Sequence, residues 1–102
     1  MMDGLLPIII QPAAERYFKK IVDKTLKKKY KDAVQGIRKD PSIGEAKTGD
    51  LAGIYGYDIY YQKTNYEIAY RLSENENGEV VIIIMAGTRE NFWREIKKYI
   101  KS

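Results

Sequence analysis

Residues 80–85, VVIIIM, form an apolar run in which neither face of a strand would carry a polar side chain. A strand of this kind is typical of the middle of a sheet that is covered on both sides. Gly87 and Thr88 follow, and Arg89 then stands at the head of an amphipathic segment. The pattern predicts that Arg89 lies just past the end of a buried strand, where its side chain reaches solvent.

The first half of the chain predicts a strand followed by a helical hairpin. Residues 5–10 are rich in β-branched side chains, which favours a short strand. Residues 12–22 begin with a proline, which the first turn of a helix tolerates, and carry apolar side chains at helical spacing. Residues 26–37 repeat that spacing. Only a short break at residues 23–25 separates the two segments, so the helices are expected to pack antiparallel.

The second half alternates between apolar and polar residues in a way that predicts three consecutive strands. Residues 55–62 and 66–73 each place apolar or aromatic side chains on one face, and residues 63–65 form the turn between them. Asn77-Gly78 is a strong hairpin signal and leads into the apolar run. Strands that are joined by hairpins in sequence order form an antiparallel meander.

Between the two halves, residues 40–54 contain three glycines and a proline but no clear periodicity. A connection of this length in a small domain is usually functional or mobile. Residues 92–100 predict a last helix, with Thr88 as its N-cap. Residues 1–102 are therefore expected to form one α+β domain of order β-α-α-β-β-β-α, with the helix hairpin packed on one face of a mainly antiparallel sheet.

The sheet face opposite the helix hairpin is predicted to be polar. It carries Asp58, Tyr60, Glu67, Ala69 and Arg71. Because this set is too polar to form a core, the face is expected to be either plain wet surface or a binding face.

Composition narrows the chemistry that this face can perform. The chain has no cysteine and no histidine, which leaves Glu, Asp, Lys or Tyr for proton transfer and makes a zinc site unexpected. No metal or cofactor is predicted. The net charge of +4 suits a phosphate-rich or acidic partner. Without a cationic leader or an 18-residue apolar stretch, the protein is expected to be soluble and cytoplasmic, with no membrane contact.

Three short motifs lie within or directly beside the predicted strands. They are Asp50-Leu51-Ala52-Gly53, Glu67-Ile68-Ala69-Tyr70 and Gly87-Thr88-Arg89-Glu90. Together with the element order, these motifs resemble the RelE/ParE family of bacterial toxins over about residues 8–99. Members of that family are the toxin halves of type II toxin–antitoxin pairs, so the resemblance implies a cognate antitoxin as partner. The lysines within residues 27–31 are either a solvated helix face or a contact for an acidic antitoxin segment.

The resemblance implies a working surface on the open face of the sheet. In the RelE and YoeB branches, that face cleaves messenger RNA on the ribosome, where the 2′-hydroxyl of the RNA attacks the adjacent phosphate. An endoribonuclease with ribosome and mRNA as partners is therefore the leading expectation. In the ParE branch a related fold inhibits DNA gyrase without nuclease chemistry, and a third alternative is an inactive, partner-binding member.

The resemblance also implies roles for particular residues. Arg89 matches the corner where the RelE branch keeps a phosphate-facing arginine, and a guanidinium supplies paired donors to phosphate oxygens. Glu45 lies where YoeB-like toxins place a glutamate that acts as general base. Tyr60 is expected to stack on a base. The competing interpretations are a surface arginine at a helix start and an ordinary loop glutamate.

Several positions depart from the family pattern. Asp58 and Tyr60 stand where the RelE branch carries two lysines, and Glu67 stands where most of the nucleases keep an arginine. Acidic side chains on an RNA-facing surface repel phosphate unless Arg71 or Lys63 neutralises them. The predicted site therefore comprises Arg89, Glu45 and Arg71 as catalytic residues, with Lys63, Tyr60 and Glu67 contacting the substrate.

Overall fold

The computed structural model describes residues 4–101, without the side chain of Lys101. The strands are β1 (Ile8–Ile10), β2 (Glu45–Ala46), β3 (Ile54–Tyr61), β4 (Thr64–Asn75) and β5 (Gly78–Thr88), and the helices are α1 (Pro12–Lys20), α2 (Lys24–Lys39) and α3 (Phe92–Lys101). The predicted α+β class and element order are confirmed. One element was not predicted, because β2 is a two-residue strand inside the connection that precedes β3.

The strands form one sheet of order β1-β5-β4-β3-β2, in which β1 runs parallel to β5 and the other neighbours are antiparallel. The apolar strand β5 therefore lies between two neighbours, as its composition predicted. Its pairing with β4 contains a β-bulge, because Ala69 pairs with Met85 whereas Tyr70 pairs with Ile83. Ile84 is the extra residue, so Ile84 and Met85 both face the same side of the sheet.

The helix hairpin covers one face of the sheet and forms the larger core. Buried side chains of α1 and α2 meet the apolar sides of β3, β4 and β5, as the alternating pattern predicted. α2 begins at an N-cap, Asp23, whose carboxylate accepts hydrogen bonds from the backbone N–H groups of Thr25 and Leu26. The negative charge of Asp23 interacts favourably with the positive N-terminal end of the helix dipole. It thereby offsets the lysines of the first turn, which are unfavourable at that end.

The opposite face is not open along its whole length, which corrects the sequence-based expectation. α3 packs across it, and Ala69 is fully buried there in a second core with Ile84, Phe92 and Ile96. A polar part of the face remains between α3 and the β3–β4 turn, and the exposed Arg71 lies on the other side of the buried Ala69. The period-two alternation of β4 does not reveal this helix, because a small residue such as alanine fits a solvent-exposed face and a packed face equally.

The start of α3 also differs from the prediction. Thr88 is not the N-cap, because it is the last residue of β5 and pairs with Tyr66. The helix begins at Phe92, and the backbone carbonyl of Asn91 accepts the N–H of Glu95 at 3.0 Å. The turn between β5 and α3 thus contains Arg89 itself. No helix in the described part of the chain is long and apolar enough to cross a membrane.

Candidate active site

The polar part of the open face is built from two rows of residues that cross β3, β4 and the end of β5. In the outer row, Tyr60 lies opposite Asn65 across the β3–β4 pair, and the Arg89 N–H donates to the Asn65 carbonyl at 2.8 Å. Neighbouring strands are about 4.8 Å apart, so Tyr60 and Arg89 are separated by about 10 Å. The Tyr60 ring is 65% exposed, so an exposed aromatic ring and a guanidinium share one row.

The inner row consists of Asp58, Glu67 and Gly87, which lie opposite one another on three neighbouring strands. Glu67 is 1% exposed. Its Oε2 lies 3.5 Å from the Arg89 Nε, whereas its Oε1 is buried without a hydrogen-bond partner among the described residues. The Arg89 side chain is 59% exposed, so the ion pair joins a buried carboxyl to a guanidinium that faces solvent.

Burial raises the pKa of Glu67 from its ordinary value of 4.5 to about 8. Desolvation is the largest cause, followed by the hydrogen bond and the negative charge of Asp58. The positive charges of Arg89 and Lys47 act in the opposite direction but do not compensate. Near neutral pH the Glu67 carboxyl therefore holds a proton, and the inner row carries less negative charge than its two acidic side chains imply.

A buried side chain of the helix hairpin contacts the backbone of the inner row. The Tyr30 hydroxyl lies 3.4 Å from the Glu67 carbonyl and 3.3 Å from the Gly87 carbonyl, and the residue is 2% exposed. Desolvation is the main reason why the pKa of Tyr30 is raised far above its ordinary value, so the hydroxyl remains a donor. α2 thus fixes the backbone of the row through one buried hydroxyl.

Glu45 and Lys47 border the site at the β2 edge. Glu45 pairs with Gly56, which places its side chain on the same face as Glu67, one row nearer to α3. Its exposed carboxylate forms an ion pair with the Lys47 Nζ at 3.1 Å. The same Nζ lies 4.4 Å from the centre of the Trp93 ring, a distance at which a cation–π contact contributes.

Gly56 makes this arrangement possible. A Cβ atom at this position would lie 2.6 Å from Cζ2 of Trp93, so the ring packs directly against the backbone of β3. The close approach allows Trp93 to close the α3 side of the site. A side chain at position 56 would have to displace the ring.

Arg71 is not brought together with the other predicted catalytic residues. It lies on the same face of β4 as Glu67, but Ala69 between them is buried under α3. Arg71 instead lines a cavity of about 410 Å³ beside Tyr99 and Ile100, at the far end of that helix. The expectation that Arg71 partly neutralises Glu67 is therefore wrong: the charges acting on Glu67 are those of Asp58, Arg89 and Lys47.

Lys63 lies in the β3–β4 turn with a positive φ of 64°, beyond the outer row, and it is not among the main charges acting on Glu67. The structure therefore groups Arg89, Glu67 and Tyr60 with Glu45 nearby, and it separates Arg71 from that group. Sequence reasoning missed Lys47 and Trp93. Only their positions in the fold identify these two residues, because one comes from the irregular connection and the other from the last helix.

Chemically, the site offers one exposed guanidinium, one exposed aromatic ring and exposed carboxylates within a small area. A guanidinium and an aromatic ring whose backbones are about 10 Å apart, two strand spacings, suit a phosphate and a neighbouring base of a single strand. The exposed carboxylates can accept a proton. These are the elements of a phosphodiester site without a protein nucleophile.

Sequence comparison identifies the family. A family model described as a ParE-like toxin of type II bacterial toxin–antitoxin system matches residues 8–97. The chain therefore belongs to the ParE-like toxins of type II toxin–antitoxin systems, which confirms the resemblance drawn from its motifs. No curated protein is similar enough in sequence to match the chain.

Solved structures with the same fold come from several toxins. A YoeB/ParE toxin from Agrobacterium tumefaciens has 17% identity and a TM-score of 0.69, covering 82% of this chain and 99% of its own. A mutant of the E. coli toxin RelE in the free state has 15% identity and a TM-score of 0.70, covering 95% and 97%. The RelBE2 toxin–antitoxin complex from Mycobacterium tuberculosis has 20% identity and a TM-score of 0.61, covering 83% and 99%. At these identities the likeness establishes the fold alone.

Proposed function

We propose that this toxin is an endoribonuclease that cleaves messenger RNA on the ribosome. In this reaction the 2′-oxygen forms a bond to the adjacent phosphorus while the bond from phosphorus to the 5′-oxygen breaks. One proton leaves the 2′-hydroxyl, and the departing 5′-oxygen gains a proton. Because the RNA supplies the nucleophile, the protein has to orient the strand, accept a proton and stabilise negative charge on the phosphate.

The observation that carries the proposal is the placement of Arg89. Its guanidinium stands at the end of β5, 59% exposed, with its Nε near Glu67 and its terminal nitrogens available to a ligand. A guanidinium in this position stabilises the charge that develops on a phosphate, and loss of one preorganised donor typically costs about 10²–10³ in rate. Tyr60, in the same row, supplies a stacking surface for a base, a contact worth about 1–3 kcal/mol.

Glu45 is the proposed proton acceptor. Its carboxylate is exposed on the site face, and in a chain without histidine a carboxylate is one of few groups able to take a proton near neutral pH. The adjacent Lys47 places a positive charge 3.1 Å from this carboxylate and reduces the repulsion that acidic side chains exert on a phosphate.

The partners in this proposal are the ribosome, its messenger RNA and a cognate antitoxin, all in the cytoplasm. The first turn of α2 carries a dense group of lysines and no acidic residue. This helix packs on the hairpin side of the sheet, and Lys29 reaches the β3 edge, where it lines a pocket with Asp58 and Tyr60. The lysine-rich surface suits an acidic antitoxin segment, and a toxin–antitoxin complex is among the structures with the same fold.

The proposal is tested by inducible expression in bacteria with the 5′ ends of ribosome-associated mRNA mapped. We expect new 5′ ends with the wild-type toxin and at least a hundredfold fewer with Arg89→Ala, an estimate from the loss of one donor. Arg16→Ala is the matched control, because it removes an exposed arginine from α1 on the other side of the sheet. Undiminished cleavage by Arg89→Ala would refute the role of Arg89.

A second candidate function is favoured by the acidic inner row. Asp58 is exposed beside the Glu67–Arg89 pair, and its negative charge weakens the field that attracts a nucleic acid. This composition fits a toxin that acts by binding a protein target, as a ParE-like inhibitor of DNA gyrase does. Growth arrest with DNA damage but without new 5′ ends would establish this alternative, and the absence of arrest would indicate an inactive, partner-binding member.

A further inference from the structure

Glu67 is the one buried charged side chain among residues 4–100, and its surroundings are unusual. A buried carboxylate is costly unless both of its oxygens have partners. Here Oε2 faces Arg89, whereas Oε1 has no donor among the described residues. The carboxyl therefore needs a proton at or near Oε1 to satisfy its hydrogen-bonding capacity.

Asp58 is the group that can share such a proton. It lies directly opposite Glu67 across the β3–β4 pair, where Cβ atoms are about 4.5–5.5 Å apart. Two ionised carboxylates at this spacing repel each other, and one proton held between them removes the repulsion and supplies the donor that Oε1 lacks. The hydrogen bond and charge of Asp58 indeed contribute to the raised pKa of Glu67.

Arg89 benefits from this arrangement. A long arginine side chain at an exposed corner samples many rotamers, and each ordered contact reduces the entropy lost when a ligand binds. Glu67 contacts the Nε, and the Arg89 side chain is still 59% exposed, so the guanidinium remains accessible to a ligand. A fully ionised pair of acids would place two negative charges beside the single positive charge of Arg89, whereas a pair that shares one proton places only one there, so a phosphate that binds the guanidinium meets less repulsion.

We propose that Glu67 is a positioning residue for Arg89, and that a proton shared with Asp58 lets the buried carboxyl hold the guanidinium with one negative charge fewer in the acid pair. The groups that face Glu67 are Asp58 from β3, Arg89 after β5 and Lys47 after β2, with the Tyr30 hydroxyl against its backbone carbonyl. The catalytic consequence rests on the proposed nuclease function. The positioning itself does not.

The first test follows the Arg89 Nε–H signal by ¹⁵N NMR in the full-length protein made by cell-free synthesis. In the wild type we expect this signal to change between pH 6 and 9 with a midpoint near the pKa of Glu67, about 8. Glu67→Gln should abolish the midpoint, and Asp58→Asn should move it to lower pH because the like charge is gone. Glu74→Gln, an exposed glutamate of the same strand, should leave it unchanged.

The second test measures cleavage of mRNA on ribosomes. We expect Glu67→Gln to lower kcat about tenfold. This is less than the loss of a whole preorganised donor, because Arg89 remains but is held less firmly. We also expect the KM of the wild type, but not of Glu67→Gln, to rise above pH 8, because the second negative charge of the acid pair weakens phosphate binding.

An Arg89 signal that is identical in the wild type and Glu67→Gln at every pH would overturn the positioning role. The NMR measurement requires no ribosome, so it decides this role even for a toxin that does not cut RNA. A wild type that shows the NMR midpoint but produces no cleavage would count against the nuclease function alone.

Discussion

Replacing Glu67 with glutamine should change how the stability of the protein depends on pH. The pKa of Glu67 is about 8 in the folded chain and returns to an ordinary value of 4.5 when the chain unfolds. Between these two values the folded state binds more protons than the unfolded state, so the free energy of unfolding falls as pH rises. The contribution of the protonated Glu67 carboxyl to the free energy of unfolding is fully present below about pH 4.5 and is lost as pH rises through about 8. Glu67→Gln removes this dependence because the amide does not ionise.

The magnitude follows from the same values. At roughly 1.4 kcal/mol for each pH unit, the difference between 4.5 and about 8 corresponds to at most about 5 kcal/mol. Asp58 is exposed to solvent. The side chains of Arg89 and Lys47 can also move toward the negative charge that forms on Glu67. We therefore expect the free energy of unfolding of the wild type to fall by about 2–3 kcal/mol between pH 5 and 8.5. A domain of this size has a total stability of about 5–15 kcal/mol, so the loss is readily measured. The ion pair with Arg89 contributes little, because that guanidinium is largely exposed.

The assay is urea unfolding at several pH values, followed by the fluorescence of Trp93, the single tryptophan of the chain. Wild type and Glu67→Gln should be similar near pH 5, and the variant should be more stable by about 2–3 kcal/mol near pH 8.5. Glu74→Gln is the control for the loss of an exposed charge on the same strand. Parallel pH profiles for the wild type and Glu67→Gln would refute the assignment of a protonated, buried carboxyl.

Three further predictions concern packing and capping, and urea unfolding checks each of them. Gly56→Ala should displace the Trp93 ring, cost about 1–3 kcal/mol and shift the fluorescence to the red; an unchanged spectrum would contradict the close packing. Tyr70→Phe should cost about 1–3 kcal/mol, because the hydroxyl donates to one backbone carbonyl at 2.6 Å and accepts from a backbone N–H at 3.0 Å. Asp23→Ala should cost about 1 kcal/mol through loss of the α2 cap, and Asp23→Asn should retain most of it.

The parts of the fold that were predictable are those in which one local rule decides the outcome. Period-two alternation located β3 and β4, helical spacing located α1 and α2, and the uniformly apolar run located β5. The β2 strand was not predictable, because two residues are too few to show a period. The covering of Ala69 by α3 was not predictable either, since it depends on where the chain goes after Arg89.

The sequence indicated which strands carry the polar group but not which side chains meet. Arg89 and Glu67 lie in adjacent rows of the sheet, and strand register, which follows from the hairpins, brings their side chains together. Arg71 was grouped with them because it has the right spacing on β4, and spacing within a strand does not reveal that a helix crosses it. Lys47 escaped notice because its position depends on the path of an irregular connection and on the Trp93 ring.

The bulge at Ile84 gives the site a dependence on the number of residues in β5. Side chains alternate between the two faces of a strand, so each residue beyond the bulge faces the side opposite to the one it would face in a regular strand. A deletion of Ile84 would remove the bulge and restore regular alternation, so Arg89 would still face the same side of the sheet as Glu67. A strand that paired Ile84 without a bulge would instead turn Arg89 toward the helix hairpin. We expect the deletion variant to keep the Glu67–Arg89 contact, which the NMR signal of the Arg89 Nε–H would report. The orientation of the guanidinium thus depends on the bulge, which absorbs one residue of the apolar run.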